Sequence, residues 1–172
     1  MRAGTRGGVW QTGAMATDEW GIARDARVLW QGGLADGVGR VEDGPGAAAG
    51  ATLTWPGRIA PASPADGQVT SPEQLIAAAH AGCYSMSLAA VLGSGGTRAV
   101  QLEVRARCRA RMGKDGLRIQ AIELLVEADV PGLDEAGLSR AAEQAERQCP
   151  VSATLRGNVE ILITARLGDA AG

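Results

Sequence analysis

The chain has 172 residues, 45% hydrophobic and 21% charged, which suits one globular domain or a small one that completes its core by dimerising. A net charge of -2 and a pI of about 5.5 lack the basic footprint that nucleic acid or an anionic membrane surface selects. Three cysteines far apart in sequence, Cys83, Cys108 and Cys149, do not make the disulfide framework of a secreted domain.

Residues 1–20 carry Gly and Arg without periodicity and without the apolar core of a secretory signal. They read as a disordered extension ahead of a single domain over 21–172, and the expected location is cytoplasmic. Alternating residues from Ala26 to Trp30, the turn-forming QGGLADG and a second run from Val38 to Glu42 predict a hairpin. DGPGAAAG is a loop, Thr52 to Trp55 a short strand, and PGRIAPASPADGQVTSP, with four Pro in seventeen residues, an extended loop.

A helix should start at Ser71: Ser is a good N-cap, Pro72 fits the first helical position and Glu73 complements the positive end of the macrodipole. It runs to about Leu92 and stops at GSGG. Its eighteen residues from Leu75 to Leu92 carry no formal charge, the only stretch that approaches a membrane span. Because it is built on Ala and holds His80, Tyr84 and several Ser, it reads as a helix buried within a protein.

Leu102, Val104, Ala106, Cys108 and Ala110 alternate with Glu103, Arg105, Arg107, Arg109 and Arg111, which predicts a half-buried strand with an arginine-rich solvent face. After GKDG a second strand runs from Leu117 to about Val130, its alternation slipping near Ala121, where a bulge would restore the pattern. PGLDEAG opens a helix to Gln148 with Leu138, Ala141, Ala142 and Ala145 on one face. Cys149 and Pro150 break it, PVSATLRG gives a short helical piece, and Val159, Ile161, Ile163 and Ala165 alternate in a last strand. The order hairpin, helix, hairpin, helix, strand is α+β.

A cysteine in an apolar helix is by default a small hydrophobe, and Cys108 fits that reading on its strand. His80 and Cys83, at i and i+3, could ligate a metal with Cys149, but no acidic residue or second histidine completes the set. Cys149 stands apart because the amides of the helical piece that follows Pro150 favour a thiolate at that joint. Arg58 and Glu73, on or beside the Pro-rich loop, are surface residues unless something else draws on them.

TSPEQLIAAAHAGCYSMSLAAVL, followed by CPVSATLRGNVEI, resembles the OsmC/Ohr family of thiol peroxidases, its osmotically inducible branch most closely. The resemblance rests on Pro72, Glu73, Leu75, Ala78, Ala79, Ala81 and Cys83, and on Cys149 to Ser152, and it extends over about residues 27–167. Gly82 and Tyr84 stand where Ala and Phe are common in the family, and Cys108 has no family role. The resemblance implies an OsmC-like fold: an intertwined homodimer with antiparallel sheets wrapped around long central helices. It also implies reduction of organic hydroperoxides, and more weakly hydrogen peroxide, in oxidative or osmotic stress. Cys83 matches the peroxidatic cysteine, Cys149 the resolving one, Glu73 the family glutamate, and Arg58 in WPGR the arginine that activates the thiolate.

No bound cofactor or metal is implied; an external dithiol of the lipoyl type, carried by a protein, would reopen the disulfide. Ten residues of straight helix put Glu73 about 15 Å from Cys83 along the axis. Glu73 and Arg58 are therefore expected to reach Cys83 from the partner subunit, which places the sites at the interface. A redox sensor or small-molecule binding module that keeps the fold without turnover is the alternative; neither nucleic acid nor a membrane is an expected partner.

Overall fold

The computed structural model describes residues 26–43, 48–60 and 69–168. The extension over 1–20 and the middle of the Pro-rich loop, residues 61–68, lie outside the described residues. Strands β1 (Arg27–Gln31) and β2 (Val38–Asp43) form the first hairpin, in antiparallel register. β3 (Thr52–Thr54) pairs antiparallel with β2 and parallel with β4 (Val69–Thr70), giving a four-stranded sheet in the order β1-β2-β3-β4.

The sequence predicts strand as far as Trp55 and loop beyond it. The chain instead turns into a short helix, α1 (Trp55–Ile59). The Thr54 hydroxyl accepts from the Gly57 amide at 3.0 Å, and Pro56 needs no amide partner in the first turn. Gly57 must stay small, since a Cβ there would lie 2.8 Å from the Thr54 hydroxyl oxygen.

α2 (Pro72–Ser94) begins where expected, with the Ser71 hydroxyl accepting from the Gln74 amide at 3.1 Å. β5 (Gln101–Gly113) and β6 (Gly116–Asp129) form a long antiparallel hairpin. Its register shifts between Arg109 and Ala110, opposite Ala121 and Ile119, where the alternation slips. α3 (Glu135–Gln148) is capped by Asp134, whose carboxylate accepts from the Gly137 amide at 2.7 Å. α4 (Pro150–Leu155) follows after one residue, and β7 (Glu160–Leu167) returns parallel to β6 to complete a three-stranded sheet.

One core joins α2, the three-stranded sheet and α3. Tyr84, Leu88, Val91 and Leu92 of α2 meet Ile122, Leu124, Val126 and Ala128 of β6 and Leu138, Ala141 and Ala145 of α3. The opposite face of the sheet carries the arginine stripe, where Arg109 pairs with Glu123 and Arg166 with Glu127 beside exposed Leu125 and Leu162. Tyr84, completely buried, donates its hydroxyl to the Ala142 carbonyl at 3.0 Å and ties α2 to α3.

Among the described residues, α2 is covered on one side only. His80, Tyr84, Leu88, Val91 and Leu92 are buried, but Ala78, Ala79, Gly82, Met86, Ala89, Ala90 and Gly93 form an exposed stripe at helical spacing. A Cβ added at Gly82 would meet nothing within 4 Å. The apolar length that suggests a buried helix is thus open along one face of this chain, and by length and composition alone the helix could cross a membrane.

Candidate active site

Two thiols separated by 66 residues in sequence meet at the joint between α2, α3 and α4: the Cys83 and Cys149 sulfurs lie 3.3 Å apart, both free. α2 carries Cys83 in its fourth turn, on the border between the buried face and the open stripe, so it is half-buried. Cys149 is completely buried, at the C-cap of α3 and the N-cap of α4. Pro150 fixes this joint, because its ring cannot continue α3 but suits the first turn of a new helix.

The surroundings of the two sulfurs differ. Burial pushes Cys149 upward, but the amides of Ser152 and Val151, the Ser152 hydroxyl and the Cys83 thiol outweigh it and hold Cys149 below the ordinary cysteine value. Burial raises Cys83, and the neighbouring Cys149 charge adds to that despite help from the Val151 amide. Within one chain, then, a proton shared by the pair belongs on Cys83 and the anion on Cys149.

Arg58 and Glu73 also come together, but elsewhere. Arg58 Nε donates to both Glu73 carboxylate oxygens, at 3.1 and 3.2 Å, and Nη2 donates to Oε1 at 2.6 Å. The Trp55 ring lies 5.9 Å from the guanidinium carbon, a cation–π contact that fixes it from the side. Burial alone would raise Glu73; the Arg58 hydrogen bonds and charge, with its own amide and Ser71, hold it below the ordinary carboxylate range. The pair edges a groove of about 890 Å³ between α1, the start of α2 and β5, lined among others by Ala77, Ala106 and Cys108. Neither Cys83 nor Cys149 lines that groove.

Cys108 is therefore not remote from polar groups. It is half-buried against α2, and both burial and the Glu73 charge raise its thiol. His80 is completely buried and its Nε2 lies 2.8 Å from the Ser152 hydroxyl oxygen. No His, Cys, Asp and Glu cluster suited to a metal ion occurs among the described residues. The Trp55 contact and the His80–Ser152 pair are not evident from sequence. The first has a signal in T-W-P-G, a cap followed by Pro, but the second joins residues 72 apart.

What fold and site define together is a two-thiol protein on an α+β frame, one cysteine accessible and the other held beside it. The chain belongs to the OsmC-like protein family, whose model matches residues 65–164. Peroxiredoxin OsmC of Escherichia coli (strain K12) is 35% identical over 92 residues, 54% of this chain. The match spans 64% of that relative, a little under two thirds of its length. The organic hydroperoxide resistance protein of Xanthomonas axonopodis pv. citri (strain 306) is 33% identical over 102 residues, 58% of this chain and 69% of the relative. Among solved structures, the organic hydroperoxide resistance protein OhrB of Bacillus subtilis superposes with a TM-score of 0.62 at 26% identity, over 83% of this chain and 98% of its own. An organic hydroperoxide resistance protein from Elizabethkingia anophelis shares the fold with a TM-score of 0.65 at 21% identity, over 86% and 99% of the two chains.

Proposed function

We propose that this protein reduces organic hydroperoxides through Cys83 and Cys149, and hydrogen peroxide more slowly, as a defence in oxidative or osmotic stress. The 3.3 Å approach of two free sulfurs carries the reading, since little more than a rotamer adjustment separates it from a disulfide of about 2.0 Å. Family membership and the names of the relatives support it.

Cys83 is the attacking group because it is the accessible sulfur. Its thiolate displaces RO⁻ from the O–O bond, leaving a sulfenic acid, and RO⁻ leaves as the alcohol after taking up one proton. The Cys149 thiolate then attacks the Cys83 sulfur and hydroxide departs. A pair that starts with one proton thus gives the disulfide, ROH and OH⁻. An external dithiol, of the lipoyl type, reopens the bond by exchange; no bound metal or cofactor takes part.

Cys83 must lose its proton for this, yet its own chain opposes that. The missing charge is Arg58 of a second copy. A homodimer that buries the open stripe of α2 brings the border residue Cys83 to the partner's Arg58–Glu73 groove, where the guanidinium stabilises the thiolate and donates to the peroxide oxygens. Apolar lining such as Ala77 and Ala106 would receive the organic part of the substrate.

Peroxide consumption in the presence of a small dithiol tests the reading. Turnover should vanish in Cys83→Ser, whereas Cys149→Ser should stop after one equivalent with a trappable sulfenic acid. Undiminished turnover in Cys83→Ser would refute the assignment and leave a sensor or binding module on the same fold.

A further inference from the structure

Behind the thiol pair lies a polar connection that the peroxide reaction does not use directly. His80, Ser152 and Cys149 are all completely buried. His80 Nε2 lies 2.8 Å from the Ser152 hydroxyl oxygen, that hydroxyl acts on the Cys149 sulfur, and Cys149 lies 3.3 Å from Cys83. The other ring nitrogen, His80 Nδ1, is buried and has no hydrogen-bond partner among the described residues.

The orphan nitrogen decides which way the connection runs. A buried N–H without an acceptor is costlier and rarer than a bare lone pair without a donor. Nδ1 is therefore the bare nitrogen and Nε2 carries the hydrogen, which it donates to the Ser152 oxygen. With its oxygen already accepting, Ser152 has its own hydrogen free to donate, and the Cys149 sulfur is the buried acceptor beside it. Burial lowers His80, overcoming the Glu146 charge that raises it, so the ring is in the neutral form this arrangement needs. A cationic ring would have to bury an unpartnered Nδ1–H.

We propose that His80 is a positioning residue for the resolving step: through Ser152 it fixes a hydrogen-bond donor beside the Cys149 sulfur. This rests on Cys149 being the resolving thiol. The consequence is a resolving group whose thiolate form is favoured and which is in place when the Cys83 sulfenic acid forms. The Cys149 thiolate supplies the electron pair of the new S–S bond, the Cys83 S–O bond breaks, and the hydroxide takes a proton from solvent. Fast closure also limits further oxidation of the sulfenic acid by a second peroxide, an irreversible loss.

The test titrates the Cys149 thiolate by its ultraviolet absorbance in a Cys83→Ser, Cys108→Ala background, where it is the sole thiol. Of the other titratable groups, Tyr84 from α2 acts on Cys149 directly and Glu146 from α3 acts on both Tyr84 and His80, and these are the same in every arm except as substituted. Ser152→Ala and His80→Leu should each move the midpoint upward by about one pH unit, the tenfold effect of losing one hydrogen bond to a charged sulfur. The double variant should move it no further than Ser152→Ala alone. His80→Gln, whose amide nitrogen can occupy the Nε2 place, should restore most of the shift. In proteins with Cys83 and Cys149 intact, disulfide closure after one equivalent of peroxide should slow about tenfold in Ser152→Ala and in His80→Leu. A midpoint unmoved in Ser152→Ala, a change small enough to leave the fold intact, overturns the inference. So does a shift in His80→Leu that adds fully to that of Ser152→Ala. The titration needs no turnover, so its failure is separate from a failure of the peroxidase reading.

Discussion

Each of the four residues that the family resemblance singles out occupies an intelligible place, but not one that sequence spacing alone gives. Cys83 and Cys149 meet because Pro150 ends α3 beside α2, a tertiary event with no periodic signal. Arg58 is held by α1, an element the Pro-rich composition conceals, and by a Trp55 ring with no motif of its own. Glu73 was legible as a helix-start residue, and the structure makes it also the acceptor for the Arg58 fork. Arg58→Lys should lower kcat/KM by about 10²-fold while leaving the fold intact, because an ammonium cannot present the planar fork or keep the same ring contact. Steady-state kinetics of peroxide reduction checks this. Glu73 also carries a pH signature. Its folded value is depressed, so its stabilising contribution is present above the ordinary value of 4.5 and lost as pH falls through the lower folded value. The stability difference between the unsubstituted protein and Glu73→Gln, from denaturant melts, should be about 1–3 kcal/mol and flat above that value, shrinking on acidification.

At the scale of elements, strong periodicity was readable and short capped pieces were not. The alternating runs became β5, β6 and β7, and even the slip near Ala121 became the register shift opposite Arg109 and Ala110. α2 began at the expected cap, Ser71, and α3 began within PGLDEAG as expected, capped there by Asp134. α1 and the two-residue β4 were missed because each depends on a few local or pairing bonds: the Thr54 cap in one case, the ladder to β3 in the other. Neither is long enough to show a hydrophobic period. Thr54→Ala should therefore cost about 1 kcal/mol in a denaturant melt, the usual value of an N-cap. It should also lower kcat/KM through the loosened Arg58. A variant equal to the parent in both would mean that α1 is held by packing alone.

For the whole molecule, the order of the predicted elements indicated the α+β class, but the apolar helix suggested burial that the described residues do not provide. Among the described residues the stripe from Ala78 to Gly93 is open. The proposed second copy would cover the stripe and bring an Arg58–Glu73 groove to Cys83. Ala89→Glu, which sets a charge on the stripe, should shift sedimentation from dimer toward monomer and lower peroxide turnover with it. Mixed dimers examine the shared site more sharply. Cys83→Ser and Arg58→Ala subunits, each inactive alone, should recover up to half of full activity when combined, because one of the two interface sites then holds an intact Cys83 and an intact Arg58. Sites contained within single chains would recover nothing. The most direct measurement is disulfide mapping by mass spectrometry after one equivalent of an organic hydroperoxide. A Cys83–Cys149 bond within one chain, with Cys108 remaining a free thiol, is the result the account predicts. A bond that includes Cys108, or two thiols left reduced at Cys83 and Cys149 while peroxide is consumed, would contradict it.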